Sequence, residues 1–363
     1  MPVSLEQILG AQNLVGLIQS VKSGIPRTLP DGFFNLTRDV ISDYATYRKV
    51  SGTRQLPVTG EYGGPSKAAP QQDVSEVPVK LIHAAENQQY KQVLLQNLQG
   101  FTSPVPQKMA EDEVTRQTAE FKRRFENLRT AAVTSAIANN KIWLKSDGTF
   151  LFNSTGAAVT VDYQVPSTNT GDMSAIVSGA ASWDNSSTDI IGQIIALKTK
   201  AVQLTGYPLR YAFYGKNVVK YLLNNTEASE LIKRNPQYND AFLNRGDIPG
   251  GFQELVWVPV YHAFAEDASG NIQQFFGDDQ IVFTPEITDD WYEMLSGSYL
   301  IPENAGVLGM TATSVLSGMN LRFGMFSYAV ATTDPIGIKQ VFGDTFLPVI
   351  KNGSVVFNAT VKF

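Results

Sequence analysis

The feature that most constrains this chain is a helix-forming stretch of 35 residues, from Pro106 to Asn140, with no glycine or proline after its first residue. Strong helix formers dominate the stretch, and an acidic cluster in its opening turns complements the helix dipole. A helix of this length would extend about 50 Å, far beyond the usual three or four turns. The sequence therefore predicts one long helix, here called the spine helix, with predicted limits 108–140.

The spine helix has one narrow apolar stripe, because apolar residues recur along it at helical spacing. The principal residues of the stripe are Val114, Phe121, Phe125 and Leu128. On the polar side, the i,i+4 spacing of Glu120 and Arg124 and the i,i+3 spacing of Glu126 and Arg129 predict ion pairs within the helix. We expect the stripe to lie on a sheet or on a neighbouring subunit. A coiled-coil segment or a long surface helix is the alternative.

Composition sets outer limits on what the chain can be. Its 363 residues exceed one average domain, which predicts two lobes. A net charge of −5 excludes a protein whose overall charge attracts nucleic acid, and the absence of cysteine excludes disulfides and thiolate metal sites. Residues 1–24 lack the layout of a signal peptide, and no apolar run approaches the roughly 20 residues of a membrane span. We expect a soluble protein that makes no membrane contact.

The first 85 residues contain two segments with little core of their own. A weakly amphipathic helix at Ser4–Ser20 leads into a turn-rich strip with Phe33 and Phe34, which predicts an arm that packs on another copy of the chain. An ordinary N-terminal helix and loop is the alternative. Between Tyr44 and Ala85, two β-type stretches flank a long connection rich in glycine and proline. Two such strands are not stable alone in water, so a neighbour must cover them. A disordered loop is the alternative.

The remainder of the chain predicts an α+β protein. Asp147-Gly148 marks a β-hairpin after the spine helix, and a helix–strand–helix order from Thr188 predicts a second, α/β lobe. From Leu321 to Phe363 nearly every segment is strand-like, with separate stretches IKQVFG and TFLPVI. We expect the spine helix to cover this C-terminal sheet.

No residue pattern predicts a catalytic, cofactor or metal site. The two histidines, His83 and His262, are far apart in sequence and lack neighbours at ligand spacing. The carboxylate pairs Asp278-Asp279 and Asp289-Asp290 lie in polar turns, where adjacent acidic residues are normally solvated. The phosphate-binding and nucleophile motifs of common enzymes do not occur. A protein that assembles is the better hypothesis.

The order of these parts resembles the major capsid proteins of tailed phages, and within them the lambda-like major capsid protein E family. The resemblance extends over nearly the whole chain. It is carried by the loop VSGTRQLPVTGEYGGPSKAAPQQD, the helix and strand TRQTAEFKRRFENLRTAAVTSAIANNKIWL, and the closing segment ATTDPIGIKQVFGDTFLPVIKNGSVVFNATVKF.

The resemblance implies a tailed-phage major capsid fold with four parts. These are an N-terminal arm (1–43), an extended β loop (44–85), a peripheral domain with the spine helix on a β sheet (86–187 and 322–363), and an axial α/β domain (188–321). The tip of the loop would lie over an adjacent subunit. Its implied contact residues are Gly60, Tyr62, Gly63, Gly64, Pro65 and Lys67.

The function implied by the resemblance is that of a structural shell protein, not an enzyme. Hexamers and pentamers would assemble into an icosahedral phage head that encloses double-stranded DNA, contacted weakly and without specificity. The implied partners are many copies of the chain, a separate scaffolding protein, a portal and a decoration protein. The implied location is the virion capsid, assembled in the host cytoplasm.

Two other functions fit the residues. One is an encapsulin-like nanocompartment shell, which would enclose a cargo enzyme instead of DNA. The other is a soluble two-lobed enzyme whose site is built from dispersed carboxylates. Particle size separates the second alternative from a shell, because an enzyme of this kind would be a monomer or a small oligomer.

Overall fold

A computed structural model describes residues 28–42, 44–51, 73–90, 104–235, 248–249, 251–261, 264–266, 270–302, 319–333 and 336–363. The helices are α1 (Gly32–Asn35), α2 (Pro104–Ala138), α3 (Met173–Ile176), α4 (Ile190–Thr205), α5 (Lys216–Asn224) and α6 (Thr226–Arg234). The strands are β1 (Thr37–Val40), β2 (Tyr44–Ser51), β3 (Asp73–Lys80), β4 (Ile82–Tyr90), β5 (Lys141–Leu144), β6 (Phe150–Leu151), β7 (Val159–Asp162), β8 (Thr170–Asp172), β9 (Leu209–Tyr214), β10 (Val256–Pro259), β11 (Phe264–Glu266), β12 (Ile272–Gln274), β13 (Gln280–Pro285), β14 (Tyr292–Pro302), β15 (Met319–Phe323), β16 (Phe326–Thr333), β17 (Ile336–Ile350) and β18 (Phe357–Thr360).

The predicted spine helix is α2, a single helix of 35 residues. It begins at Pro104, four residues before the predicted limit, because proline is tolerated in the first turn of a helix where no N–H bond is lost. It ends at Ala138, and Asn140 follows with a left-handed φ of 58°. Asparagine adopts this conformation more readily than most residues, as a helix stop requires.

The larger sheet has six strands and is centred on β17. One edge of β17 pairs with all of β4, from Ile338 to Phe346, while the other edge pairs with β16 and then with β14. The predicted separate stretches IKQVFG and TFLPVI are instead one continuous strand of 15 residues. Gly343 does not make a turn between them. It leaves room for the Phe326 ring, which a side-chain Cβ at this position would approach to 2.2 Å.

The second sheet has five strands in the order β10-β9-β13-β18-β8, with its own hydrophobic core beneath α4, α5 and α6. The strand pairings depart from the predicted domain limits. Strands β8 and β18, from the predicted peripheral segments 86–187 and 322–363, belong to this sheet, where β18 pairs with both β8 and β13. Strand β1, from the predicted arm 1–43, belongs to the larger sheet. Strand β14, from the predicted axial segment 188–321, pairs with β17 in the larger sheet. Local strand patterns do not specify which sheet a strand joins.

Smaller strand pairs complete the described part of the chain. The predicted hairpin forms from β5 and β6, with Gly148 in the turn at a φ of 91°, and β7 pairs with the other edge of β5. Strands β2 and β3 form an antiparallel ribbon with eight paired residues on each strand. The predicted helix at Ser4–Ser20, the connection between the ribbon strands, and His262 lie outside the described residues.

The strip around α1 contradicts the expectation that it has little core of its own. Phe33 is fully buried and Phe34 is 8% exposed. The Phe33 ring packs edge-on against Tyr292 at 4.9 Å and close to Phe213, and the Tyr292 hydroxyl donates to the Phe33 carbonyl at 2.9 Å. Strand β1 then pairs in parallel with β14. At least from residue 29 onward, the predicted arm is part of its own subunit, because two adjacent aromatic rings find a place in the chain's main core.

Replacing Phe33 with alanine tests this correction. We expect the free energy of unfolding of dispersed subunits to fall by about 3–5 kcal/mol, because a large buried ring leaves a cavity. Phe264→Ala is the matched control, since the Phe264 side chain is 59% exposed and its loss should change stability little. Denaturant unfolding measures both variants. If Phe33→Ala and Phe264→Ala were equally stable, the strip would not belong to the core and the arm interpretation would stand.

Candidate functional site

The N-terminal half of α2 lies on the larger sheet through an aromatic contact. The rings of Phe121 and Phe342 stack with centroids 4.2 Å apart and an interplanar angle of 10°. Phe125 is 4% exposed and belongs to the same small cluster. Phe121 and Phe125 are thus buried on the chain's own sheet, on the face where Phe342 of β17 points toward α2. Val114, nearer the beginning of the helix, is 1% exposed.

The C-terminal part of α2 is buried more completely than a narrow stripe would be. Leu128 is half-buried at the margin of the main core, and the residues after it are buried on nearly every side. The helix end is held by the five-stranded sheet, because the Ala138 carbonyl accepts hydrogen bonds from the side chains of Gln280 and Asn358. The sequence signal was available but missed: residues 130–138 contain no charged side chain.

A buried ion pair joins α2 to the centre of β17. The Arg129 guanidinium donates to both carboxylate oxygens of Asp344, with Nε–Oδ2 at 2.6 Å and Nη2–Oδ1 at 2.7 Å. The side chain of Asp344 is fully buried and that of Arg129 is 16% exposed. Burial by itself lowers the pKa of Arg129, but the charge and hydrogen bonds of Asp344 outweigh it and leave that pKa raised. Arg129 therefore stays charged in this buried position.

The salt bridges of Arg124 and Arg129 are made with the sheet. Arg124 contacts the carboxylate of Glu86 on β4 at 2.7 Å, and Arg129 contacts Asp344, while the charge of Glu126 also acts on Arg129. Within the helix, Glu120 is 3.9 Å from Arg116. Helical spacing brings Glu120 close to Arg124, but a partner on the packed sheet competes for the same guanidinium.

The root of the β2–β3 ribbon is fixed in the chain's own core. Ala45, Tyr47 and Val79 are at most 5% exposed and belong to the main hydrophobic cluster. Burial, aided by the negative charge of Asp162, raises the pKa of Tyr47. The predicted contact residues at the loop tip (Gly60, Tyr62, Gly63, Gly64, Pro65 and Lys67) lie outside the described residues, so their role stays a prediction.

Asp279, one of the carboxylates that could support an enzyme hypothesis, has a structural role. Asp279 accepts hydrogen bonds from the Tyr221 hydroxyl at 2.5 Å and from Asn217 at 2.9 Å, which fastens the turn before β13 to α5. An open pocket of about 320 Å³ between α2, the β5–β6 hairpin and residues 274–280 has no titratable residue in its lining. Among the described residues, no three potential metal ligands come together.

Comparison with known proteins then identifies the chain. The family model described as "Phage major capsid protein E" matches residues 10–313. The chain belongs to the phage major capsid protein E family. No curated protein is similar to it in sequence.

Two solved structures share the fold of this family member. A prophage protein of E. coli CFT073, described as a capsid protein, superposes with a TM-score of 0.56 at 14% identity, covering 97% of this chain and 99% of the other. A phage-related protein from Bordetella bronchiseptica RB50 gives a TM-score of 0.50 at 8% identity, covering 97% of each chain. The predicted capsid fold of mixed helices and sheets is confirmed.

Family membership also establishes the general role of the chain. It is a structural shell protein of phage heads and is located in the virion capsid. The shell interpretation of the sequence is confirmed at this level. The polar clusters described above accordingly hold the subunit together.

Replacing both Phe121 and Phe125 with aspartate tests the contact between α2 and the sheet. We expect loss of cooperative folding, because each lost ring costs several kcal/mol and two carboxylates would be left buried without partners. The matched control places aspartate at Phe264 and Phe363, which are 59% and 48% exposed. Circular dichroism during heating distinguishes the variants. A soluble double variant with a cooperative melt would refute the assigned contact.

The ion pair can be tested by removing one charge or both. Asp344→Asn leaves Arg129 buried without a counter-charge, and we expect stability to fall by about 3–5 kcal/mol. The double change Arg129→Met with Asp344→Leu should restore most of that loss, because apolar residues need no partner. Glu230→Gln is the control, since Glu230 and Arg234 form an exposed pair. Equal effects of Asp344→Asn and Glu230→Gln in denaturant unfolding would contradict the structural importance of this pair.

Proposed function

We propose that this chain is the repeating subunit of an icosahedral phage head, assembled as hexamers and pentamers around double-stranded DNA. The observation that carries the proposal is the match to the capsid family over residues 10–313. The proposed role needs no catalytic chemistry, and we infer that the chain is not an enzyme.

We further propose that the two sheets belong to two domains of the subunit with different positions in the shell. The six-stranded sheet and α2 form the peripheral domain, and the five-stranded sheet with α4, α5 and α6 forms the axial domain, which clusters around the symmetry axes of a capsomer. This refines the limits expected from the sequence, since β1, β4, β14 and β15 are assigned to the peripheral domain, and β8 and β18 to the axial domain. The strand pairings support the refinement, because each domain then contains a complete sheet.

The extended loop is proposed to contact an adjacent subunit through its tip, residues 51–73. The anchoring of its root supports this role. Because Ala45, Tyr47 and Val79 are buried at the root, the ribbon can transmit force from the tip to the core of its own subunit. A contact made at the tip then connects two folded bodies and not two flexible strands.

The remaining partners follow from the proposed role. We propose that a separate scaffolding protein, a portal and a decoration protein act with the chain, and that assembly takes place in the host cytoplasm. The net charge of −5 supports weak, non-specific contact with packaged DNA, since phosphates are attracted by clustered basic residues. Each helix in the described ranges falls short of the length or the hydrophobicity needed to span a bilayer.

Deleting Gly60–Ala69 tests the proposed loop contact. We expect a subunit that melts at nearly the wild-type temperature, because the buried root is retained, but that forms few particles. The control replaces the same ten residues with a glycine-serine linker of equal length, which keeps the reach of the loop but not its side chains. Light scattering and negative-stain microscopy of material expressed with the head genes of the phage measure particle yield.

The outcomes separate the loop from the shell. Normal particles from both variants would refute the contact role of the tip. If the unaltered chain forms no particles of megadalton size with its head genes, the proposed shell function itself is wrong.

A further inference from the structure

The backbone of β4 has one side paired and one side directed outward. In an antiparallel pair, the N–H and C=O groups of a residue point to the same side, and this side alternates along the strand. The His83 N–H donates to the Gly148 carbonyl of the β5–β6 turn at 3.3 Å, so it points away from β17. Ala85, Asn87 and Gln89 have the same parity. Their N–H and C=O groups therefore point away from β17 as well.

This outer edge has no strand partner among the residues that the structure describes. Within that part of the chain, β4 pairs only with β17, on its inner edge, over the register from Ile82 opposite Phe346 to Tyr90 opposite Ile338. The β5–β6 turn reaches the beginning of the outer edge, at His83, and no other described residue forms a strand along it from Ala85 to Gln89. An open row of backbone donors and acceptors is a template for pairing with another strand.

The edge is also held rigidly in an extended conformation. Every second side chain of β4 lies on the face of the sheet that α2 covers. On that face Glu86 pairs with Arg124 at 2.7 Å, and the Tyr90 hydroxyl donates to Gln340. A strand fixed in this way gives up little conformational freedom when another strand pairs with it, which favours pairing.

The usual protection of an exposed edge is absent from this strand. Natural edge strands carry lysine, proline or a bulge, or are very short. Strand β4 has nine residues and contains no lysine and no proline, and its register with β17 is uninterrupted. Its one carboxylate, Glu86, is paired with Arg124 on the covered face. A sequence under pressure to keep this edge solvent-exposed would be expected to include such a protective residue.

Charge favours a second copy of this chain as the partner. Each copy carries a net charge of −5, so copies repel one another on average. Two copies can therefore approach closely only where their acidic side chains do not meet. The residues whose N–H groups point outward are His83, Ala85, Asn87 and Gln89. Their side chains lie on the face of the sheet opposite α2, and none of them is acidic. Copies are also the molecules that a shell subunit meets at the highest local concentration, and symmetry repeats one contact on every copy.

We propose that the outer edge of β4, from Ala85 to Gln89, accepts an extended strand from a second copy of the chain in the assembled shell. The backbone groups of the edge residues would form the hydrogen bonds, so the contact depends on main-chain geometry more than on side-chain identity. This inference rests on the proposed shell function and adds a specific site of contact between subunits.

Photocrosslinking in assembled heads identifies the partner directly. Asn87 is replaced by p-benzoylphenylalanine, and chains labelled with ¹⁴N and ¹⁵N are assembled together with the head genes. We expect crosslinked peptides of mixed isotope composition, which join two copies. The matched control places the same group at Gln88, whose side chain lies on the helix-covered face and should crosslink within one copy.

Proline variants test the backbone contact. Asn87→Pro removes an outward N–H, which an edge strand tolerates, so we expect a folded subunit with at least a ten-fold loss of particle yield. Asn87→Ala is the matched control, because it removes the side chain but keeps the N–H, and it should assemble normally. Gln88→Pro, which removes an N–H directed toward β17, should instead destabilise the subunit.

The results decide the inference whether or not the proline variant folds. Mixed-isotope crosslinks at position 87 support it. Crosslinks confined to one copy, or to a different protein, overturn it, as does wild-type assembly of Asn87→Pro. Particles with crosslinks elsewhere would disprove this contact alone, whereas an unaltered chain that forms no particles would disprove the shell function.

Discussion

The paired charges of Arg129 and Asp344 fix the geometry on which the rest of the described structure depends. Asp344 is fully buried in the middle of β17, and Arg129 of α2 supplies its counter-charge. If β17 shifted by one residue, the aspartate would move to the opposite face of the sheet and leave two buried charges unpaired. The pair therefore specifies the register of β17. Through that strand it also specifies the positions of β4, β14 and β16, which pair with β17 directly.

The register of β17 also determines which groups pack tightly together on the face of the sheet opposite α2. Gly343 must lie under the Phe326 ring, and Gly297 must lie beside Thr345, because a Cβ at either glycine would come within 2.3 Å of its neighbour. The Phe326 ring in turn stacks on Tyr299 at 4.0 Å. One face of the sheet is thus determined by charge and the other by shape, so the edge strand β4 is presented in a single orientation in every copy.

Sequence patterns correctly predicted the elements that depend mainly on residues close together in the chain. The uniform helix propensity of residues 106–140, the turn at Asp147-Gly148 and the two strands around the long loop all have the predicted type. The failures concern partners distant in sequence. Phe33 is 259 residues from the Tyr292 hydroxyl that bonds its carbonyl, and Arg129 is 215 residues from Asp344. The periodicity of a stretch shows which of its residues share a face, but it does not show which element covers that face. For the same reason, the alternation of side chains in β18 does not show which sheet the strand joins.

The two sheets are parts of one body, and this limits where a shell of such subunits can vary in curvature. Ile281 and Phe283 of β13 face the core beneath α4, whereas Val282 between them faces the main core beside α2. The carbonyl at the end of α2 is bonded by side chains of β13 and β18 as well. A hinge between the two sheets would have to expose the face of β13 that carries Val282 and break these bonds. Differences between the environments of copies must then be accommodated where subunits meet, at open strand edges and projecting ribbons, while the interior of each subunit stays constant.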